Sequence, residues 1–222
     1  MHISALILDM DGLMFDTEHI AQTAWKRAAA DLGYAFTDDV FLGVIGRNLP
    51  DVERFTRKAF GEDFPFQEAY RRKQKYVREY VEERGIPLKP GLRELLDWIE
   101  DGANRTPHLR IAVASSSTRE IIRRNLELAG LEGERFDALV GGDEVQHGKP
   151  APDIFSLASQ RLNVAAENCL VLEDSNAGIR AAHAAGMIPV MIPDMIPPDE
   201  RSQALAYRIL PSLQAVKELL VP

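Results

Sequence analysis

Four stretches of the chain are apolar without interruption yet only three to five residues long. They are Ala5, Leu6, Ile7, Leu8; Ile111, Ala112, Val113, Ala114; Leu170, Val171, Leu172; and Ile188, Pro189, Val190, Met191, Ile192. A weaker fifth run covers 136–140. Continuous rather than alternating hydrophobicity suits strands covered on both faces, which is the condition of a parallel sheet between helices. Helical stripes separate these runs. Leu92, Leu95, Leu96 and Ile99 form one, closed by Gly102, and Ile121, Ile122, Leu126 and Ala129 form a second, stopped at Gly130. Ile154, Leu157, Ala158 and Leu162 form a third, and Ile179, Ala182 and Ala185 a fourth, ended by Gly186. A last helix is expected from about Ser212. Strand and helix in alternation predict an α/β fold, a doubly wound parallel-sheet core of Rossmann-like type.

One long stretch breaks this rhythm. From Thr17 to Gly85 there is no convincing strand, and four helical segments follow one another. The first carries Ala21, Ala24, Trp25, Ala28 and Leu32 and runs to Gly33. Thr37 caps a second, with Val40, Phe41 and Val44. A third spans about 50–60. The fourth is long, with Phe66, Ala69, Tyr70, Tyr76, Val77, Tyr80 and Val81 on one side and charge on the other. Trp25, Phe55, Tyr70 and Tyr80 are expected in the core of this bundle. The expected organisation is therefore an α/β core of residues 1–16 and 87–222, with a four-helix cap of residues 17–86 inserted after the first strand. Ile86, Pro87, Leu88, Lys89, Pro90 and Gly91 read as the return hinge.

The formal net charge of -8 and pI near 5.2 argue against a sequence-independent grip on nucleic acid or on an anionic membrane. A single cysteine, Cys169, allows no internal disulfide and fits a cytoplasmic setting. Its place at the start of a strand predicts a packed thiol. The N-terminal apolar run is too short and too quickly acidic for a signal peptide, and no stretch approaches the length of a membrane helix. A monomer is the default expectation.

In an open parallel sheet, ligands collect beyond the carboxyl ends of the strands, so the residues after each apolar run are those to read. Asp9 and Asp11 follow the first, Ser115, Ser116 and Ser117 the second, and Glu173 and Asp174 the Leu170 run. Crowded carboxylates repel one another unless a cation sits among them. Oxygen donors without a histidine or cysteine cluster point to Mg²⁺ rather than zinc. Such a metal recruits phosphate oxygens, and Ser115, Ser116 and nearby backbone N–H groups suit the remainder of a phosphoryl group. Lys149, in the loop after the 136–140 strand, supplies a cation for its spread negative charge. Asp9, ionised and metal-held, suits a nucleophile that needs no base. Asp11, two residues on, is placed to protonate a leaving oxygen and then to deprotonate water.

The segments DMDGLMFDTE, VASSST, GKPAPDIF and VLEDSNAGIRAAHAAGM, in that order, resemble the haloacid dehalogenase superfamily, and most closely its β-phosphoglucomutase-like phosphatases with a helical cap. The resemblance spans nearly the whole chain. It implies Asp9 as phosphorylated nucleophile, Asp11 as general acid and base, and Ser115 and Lys149 as phosphoryl-binding groups. It also implies Mg²⁺ held by Asp9, the Asp11 carbonyl and Asp174, with Glu173 orienting a metal-bound water. An aspartate at position 11 is what the family's phosphatases and mutases show. Leu13 departs from the Thr or Val of many members.

The expected partner is a small phosphorylated metabolite, a sugar phosphate or nucleoside monophosphate. A phosphomutase uses the same core, and the sequence does not separate the two. A receiver-like phosphoacceptor module is a poor fit, being about half this length and without an inserted bundle. A dinucleotide-binding enzyme fits less well still, because no Gly-x-Gly-x-x-Gly follows the first strand. Two readings stay open for Thr17 and Glu18: a helix start with Thr17 as N-cap, or groups facing substrate. Arg47 and Lys73 are candidates for the substrate's distal part, against ordinary surface ion pairs. His147 and His183 lack partners at metal-ligand spacing and read as surface residues.

Overall fold

A computed structural model describes residues 2–45, 49–101, 109–131 and 135–220. The chain divides into two compact units, Met1–Phe15 with Leu88–Pro222, and Asp16–Pro87.

The first unit is built on six parallel strands: β1 (Ala5–Leu8), β2 (Arg110–Ser115), β3 (Ala138–Gly141), β4 (Cys169–Glu173), β5 (Ile188–Met191) and β6 (Arg208–Ile209). They lie in the order β3-β2-β1-β4-β5-β6. Every residue of β1 and β4 is buried, as the uninterrupted apolar runs require. One face of the sheet supplies Ile7, Ala112, Ala114, Val140 and Val171 to a core completed by Ile154, Phe155, Ala158, Ala181 and Ala182. Those last five come from the helices Asp153–Leu162 and Asn176–Ala184. Helices Leu92–Asp101 and Arg119–Leu128 bury the stripes Leu92, Leu95, Leu96, Ile99 and Ile122, Leu126.

The sequence reading differs from this unit at three places. Neither β6 nor the helix Glu200–Leu205 is anticipated, and the last helix begins as a 3₁₀ turn, Leu213–Val216, before Lys217–Leu220. β6 has only two residues, both exposed, so no apolar run marks it. Glu200–Leu205 rests on its cap, the Asp199 carboxylate accepting from Ser202 N–H at 2.7 Å, more than on an apolar stripe.

In chain order the second unit supplies α1 (Thr17–Ala30), α2 (Asp38–Leu42), α3 (Leu49–Phe60) and α4 (Phe66–Arg84), so the core helices named above become α5 (Leu92–Asp101), α6 (Arg119–Leu128), α7 (Asp153–Leu162), α8 (Asn176–Ala184), α9 (Glu200–Leu205) and α10 (Lys217–Leu220). Aromatic packing holds the second unit together. Trp25 stacks on Phe36 with ring centroids 5.1 Å apart and leans on Phe66 and Tyr70, while Tyr34 meets Phe64 edge-on at 4.9 Å. Trp25 is thus a core residue as expected, whereas Tyr70, though packed on Trp25 and Phe66, is only half-buried, as are Phe55 and Tyr80. Thr37 caps α2 by accepting from Val40 N–H. Thr17 does not cap α1: it is the first helical residue, and Asp16 holds the cap position with Oδ1 2.5 Å from His19 Nδ1. Among the described residues no helix is long and apolar enough to cross a membrane.

Candidate active site

The chain runs outward from β1 through β2 to β3, then returns to β4 on the other side of β1, so the strand order switches between β1 and β4. Crevices at such switch points, beyond the strand ends, are where this class of sheet binds ligands. Leu8 is level with Val113 and Leu172. One residue further, Asp9, Ala114 and Glu173 therefore form the next row, and Asp9 N–H donates to Leu172 O at 3.0 Å. From Met10 to Phe15 the chain folds back on itself. Met14 and Phe15 N–H both reach Met10 O, and Met10, Leu13, Met14 and Phe15 are all buried. Leu13 thus anchors the loop from the core, consistent with an apolar residue there.

Lys149 joins this row from the loop before α7. Its Nζ pairs with Asp9 Oδ1, lies 2.5 Å from Glu173 Oε1, and approaches Ala114 O at 3.3 Å. The lysine side chain is 6% exposed, against 9% for Asp9 and 1% for Glu173. Burial opposes the ammonium charge, but Asp9 and Glu173 more than offset it and hold the lysine above its ordinary value.

Glu173 is fixed from both ends. While Oε1 meets Lys149, Oε2 accepts from Ser175 N–H and Oγ–H, each at 2.9 Å. Ser175 Oγ in turn accepts from Gly178 N–H at 3.0 Å and so caps α8. Position 178 has no room for a side chain: a Cβ there would collide with the Glu173 carboxylate. Both oxygens of Glu173 are thereby engaged by donors of the protein itself.

The remaining acids flank this centre. Asp11 is half-buried, and its Oδ2 accepts from Ser117 Oγ at 2.9 Å and lies 3.5 Å from Ser115 Oγ. Ser117 N–H donates to Ser115 Oγ at 3.1 Å, which ties the tip of β2 into one hydroxyl pair. Asp174 lies against the Asp9–Asp11 loop. A Cβ at Gly12 would strike its carboxylate, and Gly12 has φ +84, where a side chain is also strained. Burial first, then the charges of Glu173 and Asp9, push Asp174 well above the ordinary carboxylate range. Asp9 is raised to about 7 by burial, against the pull of Lys149, with Glu173 and Asp11 adding to the rise. The buried carboxylates of Asp9 and Glu173 and the half-buried one of Asp174 outnumber the single lysine, and oxygen donors from Asp9, Asp174 and the Asp11 carbonyl suit a hard divalent cation.

The structure brings Asp9, Asp11, Ser115, Lys149, Glu173 and Asp174 to one rim of the sheet. Ser116 is exposed at the β2 tip. Thr17 and Glu18 open α1 and half-buried Lys73 lies on α4, all in the helical unit. Arg47 lies outside the described residues. His147 is a loop residue whose backbone N–H and Nδ1 meet Asp153 Oδ2. Exposed His183 sits in the last turn of α8. Cys169 is fully buried and its thiol is pushed up to about 11 by burial, then by Glu167. The serine run after β2 placed Ser117 at the rim, though without its bond to Asp11. Sequence reasoning missed Ser175 and Gly178 as supporting groups, for which the Ser-Asn-Ala-Gly helix start after Glu173 was the available signal.

The family model of the haloacid dehalogenase-like hydrolases matches residues 3–186. The chain is 33% identical over 190 residues to the phosphorylated carbohydrates phosphatase of Thermotoga maritima, covering 83% of this chain and 82% of that one. It is 33% identical over 184 residues to the fructose-1-phosphate phosphatase YqaB of Escherichia coli, covering 83% and 93%. The crystal structure of CbbY from Rhodobacter sphaeroides in complex with phosphate superposes with a TM-score of 0.75 at 28% identity, over 96% of each chain. Six parallel strands with this switch point, the acids and lysine gathered there, and a match over most of the length place this chain in the haloacid dehalogenase-like hydrolase family.

Proposed function

We propose that this chain, a phosphomonoester hydrolase of its family, releases phosphate from a small phosphorylated metabolite through a covalent phosphoryl group on Asp9. The leading substrate classes are sugar phosphates, the chemistry named for two of its relatives, and nucleoside monophosphates. The observation that carries this reading is the buried Lys149 ammonium held between Asp9 and Glu173 at the switch point of the sheet. A nucleophilic carboxylate beside a buried cation is what in-line attack on a phosphoryl group needs, because charge builds on the phosphoryl oxygens as the bonds exchange.

In this reading an Asp9 oxygen attacks phosphorus, the P–O bond to the substrate breaks, and Asp11 gives its proton to the departing alkoxide. Asp11 then takes a proton from water, the water oxygen attacks phosphorus, and the bond to Asp9 breaks to release inorganic phosphate. Lys149 and the Ser115 hydroxyl bind the phosphoryl oxygens. Asp9, Asp174 and the Asp11 carbonyl would hold Mg²⁺, which when bound offsets phosphoryl charge. The helical unit, residues 17–86, serves as a cap that excludes bulk water, with Thr17, Glu18, Arg47 and Lys73 as its candidates for substrate contact.

A phosphate-release screen over phosphorylated metabolites with Mg²⁺ tests the reading. Release of inorganic phosphate that disappears in Asp9→Asn is expected, and full activity in Asp9→Asn would remove the proposal. A phosphomutase would instead need a sugar bisphosphate to turn over and would release little free phosphate.

A further inference from the structure

The Lys149 ammonium has three hydrogens, and they are directed at Asp9 Oδ1, Glu173 Oε1 and Ala114 O. A phosphoryl oxygen can take one only if a partner yields it, and the carbonyl contact, at 3.3 Å, is the longest of the three. One further group touches the ammonium without competing for hydrogens. Lys149 Nζ stands over the ring of Phe155, 4.9 Å from its centroid. Phe155 is fully buried in the first turn of α7, within the core that also holds Ala112, Ala114 and Val140. The loop carrying Lys149 is closed on itself by Ala151 N–H on Gly148 O at 3.0 Å and fastened to the same turn by His147 N–H on Asp153 Oδ2 at 3.2 Å. Loop and ring are thus parts of one rigid corner.

Resting on the phosphatase reading above, we infer that Phe155 is a positioning residue whose ring face holds the Lys149 ammonium in place while one of its hydrogens passes to a phosphoryl oxygen. The negative face of an aromatic ring attracts a desolvated ammonium within about 6 Å. This attraction is indifferent to which oxygens take the hydrogens, so it persists through the exchange of partners. The packing of Phe155 in the core does not depend on the charge distribution of its ring, and that difference makes the two roles separable.

The test replaces Phe155 in the full-length protein with mono-, di- and trifluorinated phenylalanines, which keep nearly the same shape while draining the ring face of negative charge. For each variant, p-nitrophenyl phosphate turnover with Mg²⁺ gives kcat and KM, inhibition by inorganic phosphate gives an inhibition constant, and thermal unfolding gives a midpoint. The expected result is a stepwise weakening of phosphate binding with each fluorine, at a constant midpoint. Phe155→Leu should lose roughly 3- to 30-fold in phosphate affinity. If the leucine variant does not fold, the fluorinated series decides alone. Phosphate inhibition and KM unchanged across that series would overturn the inference while leaving the phosphatase reading intact. A wild-type protein that neither hydrolyses p-nitrophenyl phosphate nor binds phosphate would overturn both.

Discussion

Burial and like-charged neighbours act together on Asp9, and Lys149 opposes them. Replacing Asp9 by Asn removes a charge and a nucleophile while keeping the shape. Turnover should fall by at least about a thousandfold, in an assay of phosphate release, with the fold retained by circular dichroism. Asp11 is held by hydroxyls at the tip of β2. Ser117→Ala deletes the shorter of these bonds and should cost about tenfold in kcat with little change in thermal midpoint. An unchanged kcat would show that the serine does not steer the acid. Gly178→Ala acts on a third group. Its new methyl meets the Glu173 carboxylate and must displace it or the start of α8. About 1–3 kcal/mol of stability should be lost in denaturant titrations, together with activity, because the displaced Glu173 also contacts Lys149.

The elements legible in the sequence are those whose burial writes a pattern. β1 and β4 are covered on both faces and read as unbroken apolar runs, and α5 and α6 show their stripes. β6 and α9 are short and held by pairing or a cap, so hydrophobicity does not mark them. The candidate site divides in the same way. Asp9, Ser115 and Glu173 sit at strand ends and follow from the strand positions. Ser175 and Gly178 do not, because their part depends on where the Glu173 carboxylate points, a property of three-dimensional packing. One element-level link carries a pH prediction. Glu144, in the 3₁₀ turn Gly142–Glu144 after β3, pairs with Arg161 of α7 at 2.5 Å, while Arg161 also donates to Leu139 O at 2.7 Å. Arg161 first, and then the Gly141 N–H, hold the Glu144 carboxyl down to about 2 from an ordinary 4.5, against its burial. A depressed folded value means that the native state resists protonation more than the unfolded chain does. The stabilisation is therefore complete above the ordinary value and is lost as pH falls from there toward 2. The gap in unfolding midpoint between wild type and Arg161→Ala should be widest at neutral pH and narrow steadily below about pH 5. A gap independent of pH would contradict the assignment.

Across the whole molecule, an acidic chain with a net charge of -8 is proposed to act on an anionic substrate. The sheet resolves the conflict by placing its cation, and the carboxylates suited to a divalent metal, at the one point where strand order reverses. Chelation should therefore abolish phosphate release, and added Mg²⁺ should restore it, without unfolding the core that fifteen buried apolar and small residues of one cluster already hold around the sheet face. Activity that survives exhaustive chelation would remove the metal from the account. The central claim is covalent: the phosphoryl group passes through Asp9. Acid quenching during turnover of a hydrolysed substrate, followed by digestion and mass spectrometry, should find one phosphoryl group on the peptide containing Asp9. It should be absent from Asp9→Asn and, with p-nitrophenyl phosphate, whose leaving group needs no acid, enriched in Asp11→Asn, where the water is not activated. A phosphoryl group on another residue, or rapid phosphate release with the Asp9 peptide never modified, would contradict it.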